Sequence, residues 1–284
     1  MLTIVVGSKG YLGSELASSL EGVNLAFRGM VRKKIEHDSY EYLSTEIFQG
    51  LEGQTINIVY CALDSNKAYS LKNAEKDIVN ITDFLFEIER KKMVIDKFIY
   101  LSSHAVYSGN KSTRCNVNDL LVTPDEPYSF MKILSEKLII NICDYNGWKP
   151  VILRCGAILG KKSSGNFLSS FLKNQIAKKI SVLKNKKNKF NALVHIESLV
   201  QIIIKLLLCE RGELDKIYNI GSSGFIEMEK ICDVFSQVYG IHAKVDWHED
   251  LGLKEKIFEY NNNGIFSLSR AEDTLKKFFM SEGG

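Results

Sequence analysis

Tyr128 and Lys132 stand four residues apart in Pro127-Tyr128-Ser129-Phe130-Met131-Lys132, within a run whose apolar periodicity continues to Tyr145. On a helix that spacing stacks both side chains on one face and brings an ammonium close to a phenol. A free tyrosine titrates near ~10, and an adjacent positive charge lowers such a value by ~1–3 units, into reach of neutral pH. Together the two form a proton-transfer device. The spacing alone is common in chains of this length, so its meaning depends on two other segments.

The first is Leu2-Thr3-Ile4-Val5-Val6-Gly7-Ser8-Lys9-Gly10-Tyr11-Leu12-Gly13, a β-branched run that leads into three glycines and then a helical stretch from Ser14 to Leu20. Strand, glycine turn and helix N-terminus together suit a dinucleotide pyrophosphate, because unpaired N–H groups and the helix dipole face the phosphates. Gly7 serves the tight turn, Gly10 the close approach of backbone to phosphate, and Gly13 the packing of helix on strand. The second segment, Lys97 to Tyr107, reads as a buried strand that ends in Ser102-Ser103-His104. In parallel sheets the carboxyl ends of strands are where ligands bind. Ser103 there can hydrogen-bond both a substrate oxygen and the Tyr128 hydroxyl.

In this order the motifs resemble the extended short-chain dehydrogenase/reductase family, whose members mostly act on nucleotide-linked sugars. Further landmarks extend the resemblance over most of the chain: Ile58 to Ala62, Asn80, Val151 to Gly160, Leu193 to Val200, Tyr218 to Gly221, and Phe266 to Ala271. It implies catalytic roles for Ser103, for Tyr128 as acid/base and for Lys132 as its electrostatic partner. It places a nicotinamide dinucleotide along Gly7, Lys9, Gly10, Tyr11, Leu12 and Gly13, against Cys61, Ala62 and Leu63, and beside Leu101, Ser102, Tyr128 and Lys132. The substrate would meet Ser103, His104 and Asn166, although the ring of His104 can equally point away from the site. A homodimer through paired helices, one of them the Tyr128 helix, is implied as well.

Cofactor choice turns on the second strand, Leu25 to Lys34. A dinucleotide with a free ribose usually meets an acidic residue about twenty positions past the glycines. Arg28 and Arg32 occupy that stretch instead, as in NADP-dependent family members, and a guanidinium can pair the 2′-phosphate bidentately. NADP(H) is therefore expected, with NAD(H) possible. Family dehydratases carry Asp-Glu after the catalytic serine or threonine, whereas this chain has His104-Ala105. That disfavours dehydration and leaves reduction of a keto-sugar, with epimerisation around a tightly bound NAD as the alternative. A non-enzymatic dinucleotide sensor or structural subunit is the reading from another class.

Strands alternating with amphipathic helices predict an α/β, Rossmann-type doubly wound parallel sheet with a smaller, interleaved C-terminal substrate domain. Residues 1–159 and about 190–222 are expected in the dinucleotide domain, and about 160–189 and 223–284 in the other. The clearest helices are Asp77 to Lys92, Tyr128 to Tyr145 and Asn166 to Lys178. At 284 residues and 45% hydrophobic content the chain can bury a sizeable core, and a net charge of +3 is too small to argue for nucleic acid. No apolar run is long enough to span a membrane, and with the first strand beginning at Leu2 neither a leader nor a location other than the cytoplasm is expected. The six cysteines are scattered without metal or disulfide spacing. The run from Lys184 to Lys189 is either a solvated loop or a patch that attracts a nucleotide diphosphate. His195, in an apolar strand, reads as a packing residue.

Overall fold

Apolar runs without polar alternation become the inner strands of one sheet. The computed structural model describes residues 1–34, 40–42, 45–63, 70–122, 124, 126–250 and 255–282. Six strands, β1 (Leu2–Val6), β2 (Phe27–Met30), β3 (Thr55–Tyr60), β4 (Val94–Ser103), β5 (Lys149–Cys155) and β6 (Ile217–Ile220), line up in the order 6-5-4-3-1-2. β1 runs parallel to both β2 and β3, and β3 parallel to β4. Ile4 and Val5, Ile58 and Val59, and Phe98 and Ile99 are all fully buried. Neighbours of opposite parity are out of water together only when both faces of a sheet are covered. The strand order reverses between β1 and β3, so the crevice at the carboxyl ends of these two strands is the place for a ligand.

The helices that return the chain between strands have local reasons to begin where they do. α1 (Tyr11–Gly22) starts directly at Gly10 with no side-chain cap, whereas α2 (Leu71–Arg90) starts at Ser70, which exchanges capping bonds with Asn73. That box begins α2 six residues before Asp77, where the apolar periodicity first becomes clear. α3 (Pro127–Tyr145) opens on Pro127, whose missing N–H costs nothing in a first turn, and Gly147 follows its end with φ of 69°. α2 contributes Ile81, Phe84, Leu85 and Ile88 to the core, and α3 contributes Ile139 and Cys143. Phe84 meets Tyr60 edge-on at 5.4 Å and Phe98 at 6.3 Å. Burial of each such ring contributes ~1.5–3 kcal/mol.

The chain divides into two compact units, one of Met1–Gly109, Leu121–Arg154 and Val200–Tyr218, the other of Asn110–Leu120, Cys155–Leu199 and Asn219–Gly284. In the second, α4 (Phe167–Ile176), α6 (Lys230–Tyr239) and α7 (Ala271–Glu282) enclose Phe171, Phe235 and Phe279. α5 (Ile196–Leu208) follows the short strand Leu193–His195, which pairs in parallel with Ala157–Leu159 and not with the large sheet. That pairing keeps residues 155–199 with the second unit, whereas Ile217–Ile220 is an edge strand of the large sheet. His195 is buried, and burial followed by the nearby charge of Lys277 holds its imidazole below the usual range.

The lysine-rich turn between Ser181–Lys184 and Lys189–Phe190 is matched by acidic partners of the same unit. Lys184 meets Asp250 at 2.9 Å, Lys186 meets Glu229 at 3.2 Å, and Lys187 bridges Glu227 and Glu229. The turn is thus a charge-balanced surface loop, and its lysines do not form an unpaired cationic patch.

Candidate active site

The loop after β1 is built around two glycines that no other residue can replace. Gly7 has φ of 89°, and a Cβ on it would lie 2.9 Å from the Ala62 nitrogen. A Cβ on Gly13 would lie 2.1 Å from the Gly7 carbonyl oxygen. The loop turns back on β2, with the Gly7 and Ser8 amides donating to the Met30 carbonyl at 2.7 and 3.1 Å. Gly10 is exposed and no side chain caps α1 above it. The amides at a helix N-terminus have no partner within the helix, which makes the first turn of α1 a place where an anion can be held. Cys61 continues β3 beside Gly7, its amide on the Val6 carbonyl at 2.9 Å, and Ala62 and Leu63 follow. Burial pushes the Cys61 thiol up to about 12, against a smaller opposing effect of the Lys132 charge. A close backbone cradle, a glycine turn and a helix start without a side-chain cap fit the pyrophosphate of a dinucleotide.

The second wall joins β4 to α3. Lys132 is 3% exposed, and its Nζ donates to the Leu101 carbonyl at 2.6 Å and to the Tyr100 hydroxyl at 3.2 Å. The same ammonium lies 4.6 Å from the Tyr100 ring centroid and 5.9 Å from that of Tyr128. Tyr128, one turn earlier, is half-buried. Ser103 ends β4, and its Oγ accepts the Ala105 amide at 3.2 Å, capping the short turn His104–Tyr107. An oxygen that accepts from backbone retains its own hydrogen to donate to a substrate. The structure thus brings Ser103, Tyr128 and Lys132 onto adjoining ends of one strand and one helix.

Other expected site residues take different places. The Arg28 Nη1 donates to the carbonyls of Ile47 at 2.8 Å and Gln49 at 3.1 Å, so the side chain is drawn to the turn Thr45–Phe48. Arg32 opens the short strand Arg32–Lys34, and its side chain lies outside the described residues. His104 is 7% exposed and edge-on to Tyr107 at 6.5 Å. Burial, and next the charge of Arg154, push its imidazole down to about 3, which keeps it neutral at working pH. In the second unit, Asn166 caps α4, its Oδ1 accepting the Ser169 amide at 2.9 Å.

Two residues with no sequence-based assignment complete the first unit's site. Glu136 continues the Tyr128 and Lys132 stripe by one more turn, and its carboxylate accepts from the Ser102 hydroxyl. Arg154 of β5 grips the same carboxylate, Nη2 to Oε2 at 2.8 Å and Nε to both oxygens at 3.2 Å. Its Nη1 donates to the Tyr107 hydroxyl at 2.7 Å. Burial works against the guanidinium's charge, but Glu136 and Tyr107 more than offset it and push Arg154 above its ordinary value. A charged residue inside the otherwise apolar strand Val151 to Cys155 was the signal for this pair, since a buried charge requires a partner.

Residues 3–221 match the NAD dependent epimerase/dehydratase family. The chain is also 21% identical to an uncharacterised protein of Methanocaldococcus jannaschii, covering 97% of this chain and 94% of that one. Among solved structures, the UDP-glucuronic acid 4-epimerase of Bacillus cereus in complex with NAD superposes with a TM-score of 0.79 at 15% identity, covering 99% and 96% of the two chains. The UDP-glucose 4-epimerase of Thermus thermophilus with NAD gives 0.77 at 14%, covering 100% and 99%. RMD from Pseudomonas aeruginosa complexed with NADPH gives 0.75 at 13%, covering 99% and 98%.

Proposed function

The chain belongs to the NAD dependent epimerase/dehydratase family, and from that premise we propose that it reduces a keto group of a nucleotide-linked sugar with NADPH. The observation that carries the chemistry is the alignment of Tyr128 and Lys132 on α3 against the β4 end that bears Ser103. When bound, the nicotinamide supplies the hydride. Tyr128 gives its phenolic proton to the sugar oxygen, and Ser103 donates a hydrogen bond to that oxygen, so charge that develops there meets two fixed donors. The buried ammonium of Lys132 favours the phenolate left behind. The glycine loop and the first turn of α1 would hold the pyrophosphate.

Dehydration needs a second proton carrier next to Ser103. That position is His104, buried and held uncharged at neutral pH, and Ala105 follows it, so no carboxylate stands there to carry the proton. Preference for NADPH is supported by the end of β2, where Met30, Val31 and Arg32 offer no carboxylate for a free ribose. Epimerisation around retained NAD is the second reading. It is favoured by Arg28, which is committed to the Ile47 and Gln49 carbonyls.

A homodimer belongs to the same proposal. α2 and α3 pack side by side, and Val79, Phe86, Phe130 and Leu134 leave apolar surface on them. The functional test follows NADPH absorbance and sugar product together, with a nucleotide-linked 4-keto-6-deoxy sugar and, separately, UDP-glucose. Equimolar loss of NADPH and gain of a new hydroxyl supports the reductase. Product from UDP-glucose with no net change in cofactor establishes the epimerase instead.

A further inference from the structure

Three consecutive residues at the end of β4 are each tied to one stripe of α3. Lys132 binds the Tyr100 hydroxyl and the Leu101 carbonyl, and Glu136 accepts from the Ser102 hydroxyl. Ser103, the next residue, begins a turn that ends at Tyr107, and Tyr107 is bound by Arg154, which grips Glu136. The Ser103 turn is thus fastened just before its start and at its end to a single carboxylate–guanidinium pair. Both partners are nearly out of water, with Glu136 at 2% and Arg154 at 3% exposure. A buried ion pair is a poor way to gain stability, because apolar residues of the same volume often serve as well. What apolar residues do not supply is a directed set of bonds to a strand end, a helix and a turn at once.

We propose that Glu136 is a positioning residue: through Ser102 and Arg154 it holds the Ser103 hydroxyl in register with Tyr128 and Lys132. The inference rests on the reading that these three groups act on the substrate. It predicts that loss of the pair damages the chemical step and spares cofactor affinity, since the bonds traced above run from the pair to Ser102 and to Tyr107, at the two ends of the Ser103 turn.

The test uses the full chain with Glu136→Leu/Arg154→Met, a double variant that leaves no orphaned charge, beside Tyr128→Phe as reference. Turnover is read with a thymidine diphosphate-linked 4-keto-6-deoxyhexose plus NADPH, and with UDP-glucose plus NAD. NADPH affinity is read by calorimetry, and the position of Ser103 by crystallography. The double variant is expected to fold, to bind NADPH within about threefold of wild type, and to lose about 10²-fold in kcat at similar KM. Its crystal structure should show the Ser103 Oγ displaced by ~1 Å relative to the Tyr128 hydroxyl. Arg154→Lys, which keeps the charge and loses the fork, should recover part of the loss. If the double variant does not fold, Tyr107→Phe, which removes the bond from Arg154 and keeps the ring, should lower kcat by about 3–10-fold. An intact double variant with wild-type kcat, or one with Ser103 unmoved, overturns the positioning role. Should Tyr128→Phe keep its activity, the catalytic assignment fails instead, and the crystallographic comparison still decides the role of Glu136. That comparison also decides it if wild type turns over neither sugar.

Discussion

Glu136 and Arg154 close at 2.8 Å with 2% and 4% of their side chains exposed, whereas Lys187 meets Glu227 at 3.4 Å with 72% and 39% exposed. The two clusters are made of the same charges, and water separates their consequences. Around Lys187 solvent screens the attraction and supplies substitute partners, so the pairs do little more than balance charge on a turn. Around Arg154 the solvent is gone, and every bond lost there is replaced by nothing. The difference shows why a count of charged residues says little until their burial is known.

The comparison is broken most sharply by Arg154→Met, which leaves the Glu136 carboxylate buried without its partner. Destabilisation of ~3–5 kcal/mol is expected in urea unfolding. A loss below ~1 kcal/mol would mean that the pair behaves like a surface one. Next in size are the two arginines of the second strand. Arg32→Ala should weaken NADPH by ~1.5–3 kcal/mol and leave NADH nearly unchanged. Arg28→Ala should change neither by more than a few tenths of a kcal/mol, since Arg28 already serves two carbonyls. Calorimetric titration of both variants checks this, and a wild-type preference for NADH would remove the NADP assignment.

His104 sharpens the comparison through pH. Its folded value of about 3 lies below the ~6.5 of an unfolded histidine. Above pH ~6.5 it is neutral in both states and contributes no slope. On acidification the unfolded chain takes up a proton that the folded chain refuses, so stability falls from pH ~6.5 downward by as much as ~1.4 kcal/mol per unit. His104→Gln should flatten that slope relative to wild type in urea titrations between pH 7 and pH 4.5. Equal slopes would show that the imidazole is solvated. The smallest effect belongs to Lys187→Ala, which should leave the urea midpoint almost unchanged, and in high salt indistinguishable from wild type.

Local requirements were legible in the sequence. Gly7 and Gly13 were assigned from their neighbours alone, because a turn with positive φ and a helix pressed on a strand leave no room for a side chain. Pro127 and Gly147 marked α3 for similarly local reasons. What depended on distant partners was not legible. The direction of Arg28 is set by carbonyls about twenty residues later, and the neutrality of the lysine turn by Glu227, Glu229 and Asp250, some forty to sixty-six residues away. Glu136 was readable in principle, since Tyr128, Lys132 and Glu136 form one i, i+4, i+8 stripe. Its partner stood in plain view as the one charge within the apolar run Val151 to Cys155, and only the tertiary fold brings the two together.

The most direct test of the central claim is to follow deuterium from NADPH labelled at the nicotinamide C4 into the sugar, with wild type and Tyr128→Phe under identical saturating cofactor. The account predicts label on the carbon that bears the new hydroxyl, at a rate ~10²–10⁴-fold lower in the variant, with NADPH affinity preserved. Unlabelled product formed without NADPH oxidation, or a Tyr128→Phe variant that transfers label at the wild-type rate, would contradict it.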